Sequence, residues 1–317
     1  MTAAATQTPV SSRPAALALS AAVVCGALVA GQQRLNGELK TELNDALLTA
    51  LVSFLTGLVL IAAVVLARPT SRAALGRVRD VPWLQRLGGL GGATLVAVGA
   101  AAAPEIGVAL LTIGIVAGQT SGGLLVDRLG LGPGGAHAVT LPRLVGAGLC
   151  LAAVGLSVSG QTASGASPLL LALVVLSGLL IAVQQAINGR VRETTGDAGV
   201  ATLVNFVLGT AALAAGVAVD AAIGGLDIGQ WPGIAQWFLY LGGPIGVAFV
   251  AVAAVAVRIV GVLRFGLAAI AGQLVGALLL DVFSPVSGTE IGALTVVGVL
   301  LTLLAVAVAG VQRRHPA

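Results

Sequence analysis

The sequence predicts an all-α polytopic membrane protein, with about ten transmembrane helices arranged as two inverted five-helix repeats. Three observations predict it: a surface too poor in charge for water, a succession of apolar runs of spanning length, and an internal repeat with an odd number of runs in each half. Of 317 residues, 57% are hydrophobic and 9% charged, with a mean hydropathy of +1.05. A soluble domain carries about 25% charged residues. A lipid-facing surface needs none. The 45 glycines point the same way. Glycine costs roughly 1 kcal/mol against alanine inside a water-exposed helix. In lipid, helices associate by close packing and favour small residues.

A spanning helix needs about 20 mostly apolar residues. The runs are Ala15–Gln33, Ala46–Ala67, Trp83–Ala103, Ile106–Val126, Leu141–Ser159, Pro168–Ile187, Ala198–Val219, Trp237–Val257, Ile259–Leu280 and Ile291–Val311. The third and fourth runs, and the eighth and ninth, are joined by links so short that each pair must turn tightly. Pro104 with Gly107 breaks the first pair, and Arg258 with Gly261 the second. The first run lacks the short apolar core and cleavage site of a signal peptide, and reads as a retained helix. The division is a tail at 1–14, a first repeat at 15–160, a linker at 161–167, a second repeat at 168–311 and a tail at 312–317.

Charge orients the spans. With the N-terminus in the cytoplasm, all but Arg34 and Lys40 of the 16 basic residues fall in cytoplasmic segments or their flanks. That bias places both termini in the cytoplasm. The outer segments carry Glu38, Glu42, Asp45, Glu105, Asp220, Asp227 and Glu290. The net charge of +4 is thus orientation information, not a nucleic-acid surface.

The repeat is the most specific signal. Residues 26–57 align without gaps on 178–209, and Gly26, Gln32, Gln33, Asn36, Gly37, Asp45, Phe54 and Gly57 all recur. Further on, Trp83, Gly88, Gly89 and Gly92 recur as Trp237, Gly242, Gly243 and Gly246. Gly118, Gln119, Gly122 and Asp127 recur as Gly272, Gln273, Gly276 and Asp281. Chance likeness between apolar helices would match Ala, Leu and Val, not Gln, Asn, Asp and Trp in order. Five spans per half send the second half through the membrane upside down, with the neutral link Gly160–Ser167 outside. Inverted repeats are a common plan for secondary transporters, with the site near the midplane.

The pattern GxxxxGQQxxNGxL…D…SFxxG, then W…GG…GQ…D, resembles the YdcZ-type branch of the drug/metabolite transporter superfamily, over nearly all of residues 15–311. The chain resembles two five-helix units fused. The resemblance implies an EamA-like ten-helix transporter fold, and an exporter of small metabolites or drugs.

Amides are the candidate site residues. Gln32 and Asn36 are four apart, on one helix face near the outer end of the first run, and Gln184 and Asn188 repeat them in the sixth. Amides in lipid need partners. They either face a cavity that binds a polar cargo or bond across helices. Gln119 and Gln273 lie deepest and are the stronger cavity candidates. The glycines around them offer a packing face to another helix or to a second copy of the chain. Ser53 and Asn205 are equivalent, weaker candidates. Arg34, whose counterpart is Ala186, either selects cargo or pairs with Glu38. Asp127 and Asp281 occupy equivalent helix ends, as gating residues or as solvated end residues. Arg264 reads as snorkelling to the interface.

Cys25 and Cys150 read as small buried residues. His137 and His315 sit in loop and tail, so no metal cluster is expected, and no cofactor. No acidic residue sits in a span core, as a proton-coupled pump usually requires. No phosphate-binding GxxxxGK[ST] loop is present. An intramembrane enzyme would need clustered nucleophiles, acids or ligands at depth, and none is spaced so. The expected partners are the bilayer and a small-molecule substrate. The alternative is a non-transporting assembly or regulatory partner whose amides serve as glue.

Overall fold

In the computed structural model, residues 12–132, 135–136, 138–159, 167–260, 262–285 and 292–309 are described. Among them every regular element is helical and there is no strand: α1 (Ser12–Leu43), α2 (Ala46–Ala67), α3 (Pro69–Leu75), α4 (Trp83–Arg86), α5 (Gly89–Leu129), α6 (Leu141–Ser159), α7 (Pro168–Thr195), α8 (Ala198–Ala222), α9 (Gly242–Val260), α10 (Val262–Phe283) and α11 (Ala293–Ala309). Two 3₁₀ turns, Gly76–Asp80 and Ile234–Leu241, precede α4 and α9.

Eight stretches are long and apolar enough to cross a bilayer. One of them, Trp83–Leu129, has 47 residues. A straight helix of that length would run about 70 Å, over twice the roughly 30 Å hydrocarbon core. It breaks at Gly107, where φ 75 and ψ 163 leave the helical region for one open only to glycine. Its two arms, 89–106 and 108–129, are therefore two spans. With the shorter apolar α11, ten spans result among the described residues. The equivalent turn between α9 and α10 falls on Gly261, outside the described residues. So do the linker 160–166, both histidines, Glu290 and the side chains of Arg258 and Arg264.

The repeat explains the local structure. α1 and α2 are joined through Asn44, held at φ 58, and α7 and α8 through the equivalent Gly196 at φ 72. Asp45 and Asp197 then cap the next helix, accepting from the Leu48 and Val200 amides. Such caps contribute about 1 kcal/mol each. Pseudo-two-fold contacts knit the halves. Gly26 of α1 lies against the Ala269 carbonyl of α10, and its counterpart Gly178 of α7 against the Ile115 carbonyl of α5. Gly118 meets Val175 as Gly272 meets Val23. Each half thus lends its first helix to the other half's fourth span. Phe54 and its counterpart Phe206 touch each other, ring centroids 5.1 Å apart, so the symmetry axis passes between them.

The second arm of α5 is the most enclosed element, with Leu110, Leu111, Ile113, Ile115 and Val116 all buried. Leucines elsewhere, such as Leu17, Leu169 and Leu304, face outward, as lipid contact requires. All three tryptophans are exposed, Trp83 and Trp237 just before the helices of the third and eighth spans and Trp231 in the segment after α8, and indoles favour the membrane–water boundary.

Charge is segregated between the two ends. At one end Arg77 donates to the Thr195 carbonyl (3.1 Å), Ser71 to the Asp197 carboxylate (2.8 Å) and Arg190 to the Gly130 carbonyl (3.0 Å). This basic end joins residues 68–86, 128–131 and 190–197. At the other, Gln236 donates to Glu42 (2.9 Å) and Asn44 to Asp227 (3.2 Å). This is the acidic end.

Two first expectations need correction. α1 continues ten residues past Gln33 to Leu43, and α7 continues past Ile187 to Thr195. The extension of α1 is amphipathic: Leu39 and Leu43 are buried while Glu38 and Thr41 meet solvent. Average hydropathy does not register such a helix. The apolar stretches of the third and eighth spans start at Trp83 and Ile234, and within them the long helices α5 and α9 start at Gly89 and Gly242, after short helical segments that hold Trp83 and Trp237.

Candidate functional site

A cavity of about 650 Å³ lies on the seam between the halves. α1 contributes Gln32, α5 Gln119 and α10 Gln273. α7 contributes Gln184, Gln185 and Asn188, while Ser53 and Asn205 come from α2 and α8. Phe54, Phe206, Phe249 and Phe265 supply apolar wall. The residues around these amides are small: a Cβ on Gly92 would lie 3.0 Å from Gln184 Oε1, and one on Gly246 3.4 Å from Gln32 Nε2. Glycine at both positions leaves the two glutamines room beside the seam.

The cavity extends toward one end. Gly189, Arg192, Ala198 and Thr202, at the basic end, line it, and so do Ala253 and Gly266 beside the α9–α10 turn. No described residue of the acidic end does. There the counterparts are packed shut. Asn36 is fully buried, close to Gly242 and Ser53, whereas its counterpart Asn188 lines the cavity. Gln33 is buried against Gly99, whereas Gln185 lines the cavity. Leu39, Leu43, Leu48 and Leu239 plug the acidic end. At the positions equivalent to the first three stand Val191, Thr195 and Val200.

A second closure lies beside the break in α5. Asp281 is 5% exposed. Its carboxylate accepts from the Val108 amide (3.0 Å) and the Ala109 amide (2.6 Å). The glycine turn at 107 frees these N–H groups, which begin the second arm and would otherwise lack partners. A carboxylate at a helix N-terminus also meets the favourable end of the helix dipole. Asp281 thus ties α10 to α5 at the acidic end. Its counterpart Asp127 instead pairs with Arg143 at the basic end.

Two stretches of the chain, residues 17–156 and 169–308, each match the family DMT_YdcZ, described as "Putative inner membrane exporter, YdcZ". The chain belongs to the DMT_YdcZ family. The family unit occurs twice in one chain, and the two-fold resemblance read from the glutamine, asparagine and glycine motifs is that of this family. It is a family of membrane transporters, so the chain is a multi-pass membrane protein of the transporter class. No curated protein matches it.

In this double YdcZ unit, five of the seven predicted cargo residues share one cavity: Gln32, Gln119, Gln184, Asn188 and Gln273. Asn36 and Arg34 do not. Asn36 sits one helical turn, about 6 Å, beyond Gln32, past the point where Gly242 closes against α1. Arg34 turns away and pairs with Glu38 (2.8 Å), with a further bond to the Ser284 hydroxyl (3.3 Å). Together with Thr41 and Pro104 it lines a separate, smaller cavity at the acidic end. Asp281 is no solvated end residue, because the open amides of Val108 and Ala109 draw it inward. Arg192 and the Phe54–Phe206 pair are cavity residues not anticipated. The recurrence of Phe54 as Phe206 was the available signal, since a residue on the symmetry axis must meet its own counterpart.

Proposed function

We propose that this chain is a secondary transporter that exports a small molecule by alternating access, rocking one five-helix half against the other. The basic end is cytoplasmic, as its arginines favour. The state described is then inward-facing: the cavity can load from the cytoplasm, and the Asp281 contact and the leucine plug close the outer side. One observation carries this reading: amides from both halves converge on a cavity that extends toward the basic end and is lined by no described residue of the acidic end.

Asp127 and Asp281 act as alternating latches in this scheme. Asp281 holds the outer side now. On the swing to the outward state it releases α5, and Asp127 leaves Arg143 to close the inner side. Flux through the purified protein in liposomes, measured over a metabolite panel, tests the reading. Gln119→Leu and Gln273→Leu each remove one cargo hydrogen bond, about 1–1.5 kcal/mol, so transport efficiency should fall about tenfold with insertion intact. Normal transport by both variants would remove the cavity from the mechanism.

A further inference from the structure

We infer that the cavity selects neutral solutes that carry amide-type donor–acceptor pairs on an apolar body, and that it rejects cations. This rests on the cavity being the cargo site. Every acidic residue except Glu290 lies in the described part of the chain, and none of them lines the cavity. Among the described residues, the ionisable group that does is Arg192, toward the basic end. A cation entering the seam would lose its water, meet no counter-charge and pass a guanidinium on the way.

Carboxamides are the commonest polar groups of the lining, beside the hydroxyls of Ser53, Thr120 and Thr202. Each carboxamide offers an N–H₂ donor beside a C=O acceptor. That pair matches the edge of an amide, imide or heterocyclic lactam with two hydrogen bonds, as glutamine and asparagine match a purine edge. The rest of the wall is apolar and aromatic, with Phe54 and Phe206 packed together at the axis. The cargo therefore has an apolar or ring-bearing portion. A volume of about 650 Å³ suits a drug-sized molecule rather than an ion or a peptide.

Calorimetric titration of the purified full chain tests this with two probes on one skeleton. N-acetylphenylalaninamide is neutral and presents two amides beside a ring. Phenylalaninamide quaternised at its amine is a permanent cation of similar size. The neutral probe should bind, and the cation at least about tenfold more weakly. Gln119→Leu, shown to be folded by an unchanged melting profile, should weaken the neutral probe severalfold. Equal or tighter binding of the cation overturns the selectivity, as does binding of neither probe. If Gln119→Leu and Gln273→Leu both leave neutral-probe affinity unchanged, the probe sits elsewhere, and the cargo-site reading fails instead.

Discussion

Asp281→Asn isolates the outer closure. In the native chain two carboxylate oxygens accept from two backbone amides at 3.0 and 2.6 Å, deep in the protein. Asparagine keeps one acceptor and turns an N–H₂ group toward the other amide. One buried amide then loses its partner, at a cost of about 1–3 kcal/mol. That cost falls on the inward-facing state alone, because in the proposed cycle the contact does not exist in the outward-facing one. Each 1.4 kcal/mol is a factor of ten, so the outward-facing population should rise roughly 5- to 150-fold. A cysteine at Val29, which lines the cavity, reports the change. Cys25 and Cys150 are buried, so the introduced thiol dominates labelling. A membrane-impermeant maleimide added outside should react with Val29→Cys slowly, and far faster once Asp281→Asn is added. Reaction from the inside should slow correspondingly if the outward state comes to predominate. An unchanged outside rate in the double variant, with the protein still folded, would refute the latch.

Gly118→Ala and Gly272→Ala should each destabilise the detergent-solubilised protein by about 1–3 kcal/mol, lowering its melting temperature. The new Cβ atoms would sit 1.9 and 2.0 Å from the carbonyls of Val175 and Val23, forcing helices apart. Gly123→Ala, with nothing within 4 Å of its Cβ, should melt like the parent. Arg34→Ala should leave flux within about twofold, since a partly exposed i,i+4 ion pair contributes under about 1 kcal/mol and the side chain lies outside the main cavity. A loss of tenfold or more would return Arg34 to the cargo path.

The sequence was most legible where a single physical rule decides. α2 and α6 lie where the apolar runs put them, at Ala46–Ala67 and Leu141–Ser159, because hydrocarbon thickness alone sets such a span. Gln119 and Gln273 were recognisable as deep amides, since each interrupts the middle of an apolar run. The extension of α1 to Leu43 was not visible, as its polar face offsets the buried Leu39 and Leu43 in any average. Nor could spacing separate Gln32 from Asn36. They share a helix face, and only the tertiary packing leaves Gln32 on the cavity and Asn36 fully buried. The burial of Asp281 depends on the backbone conformation of Gly107, 174 positions earlier in the chain. Residue type alone does not reveal that pairing. Nor does the repeat show which end the cavity extends toward: Val191, Thr195 and Val200, the counterparts of Leu39, Leu43 and Leu48, are buried as they are.

The inversion of the two halves underlies the seam, the cavity and the alternating latches. Thr70, just beyond α2, and Ala222, at the end of α8, are counterparts in the repeat, and both are exposed. Single cysteines at these positions, probed in intact cells with an impermeant maleimide, test it directly. Ala222→Cys should react at once, and Thr70→Cys only after the membrane is opened. If both react from the same side, the halves run parallel and no shared, one-sided cavity can form between them.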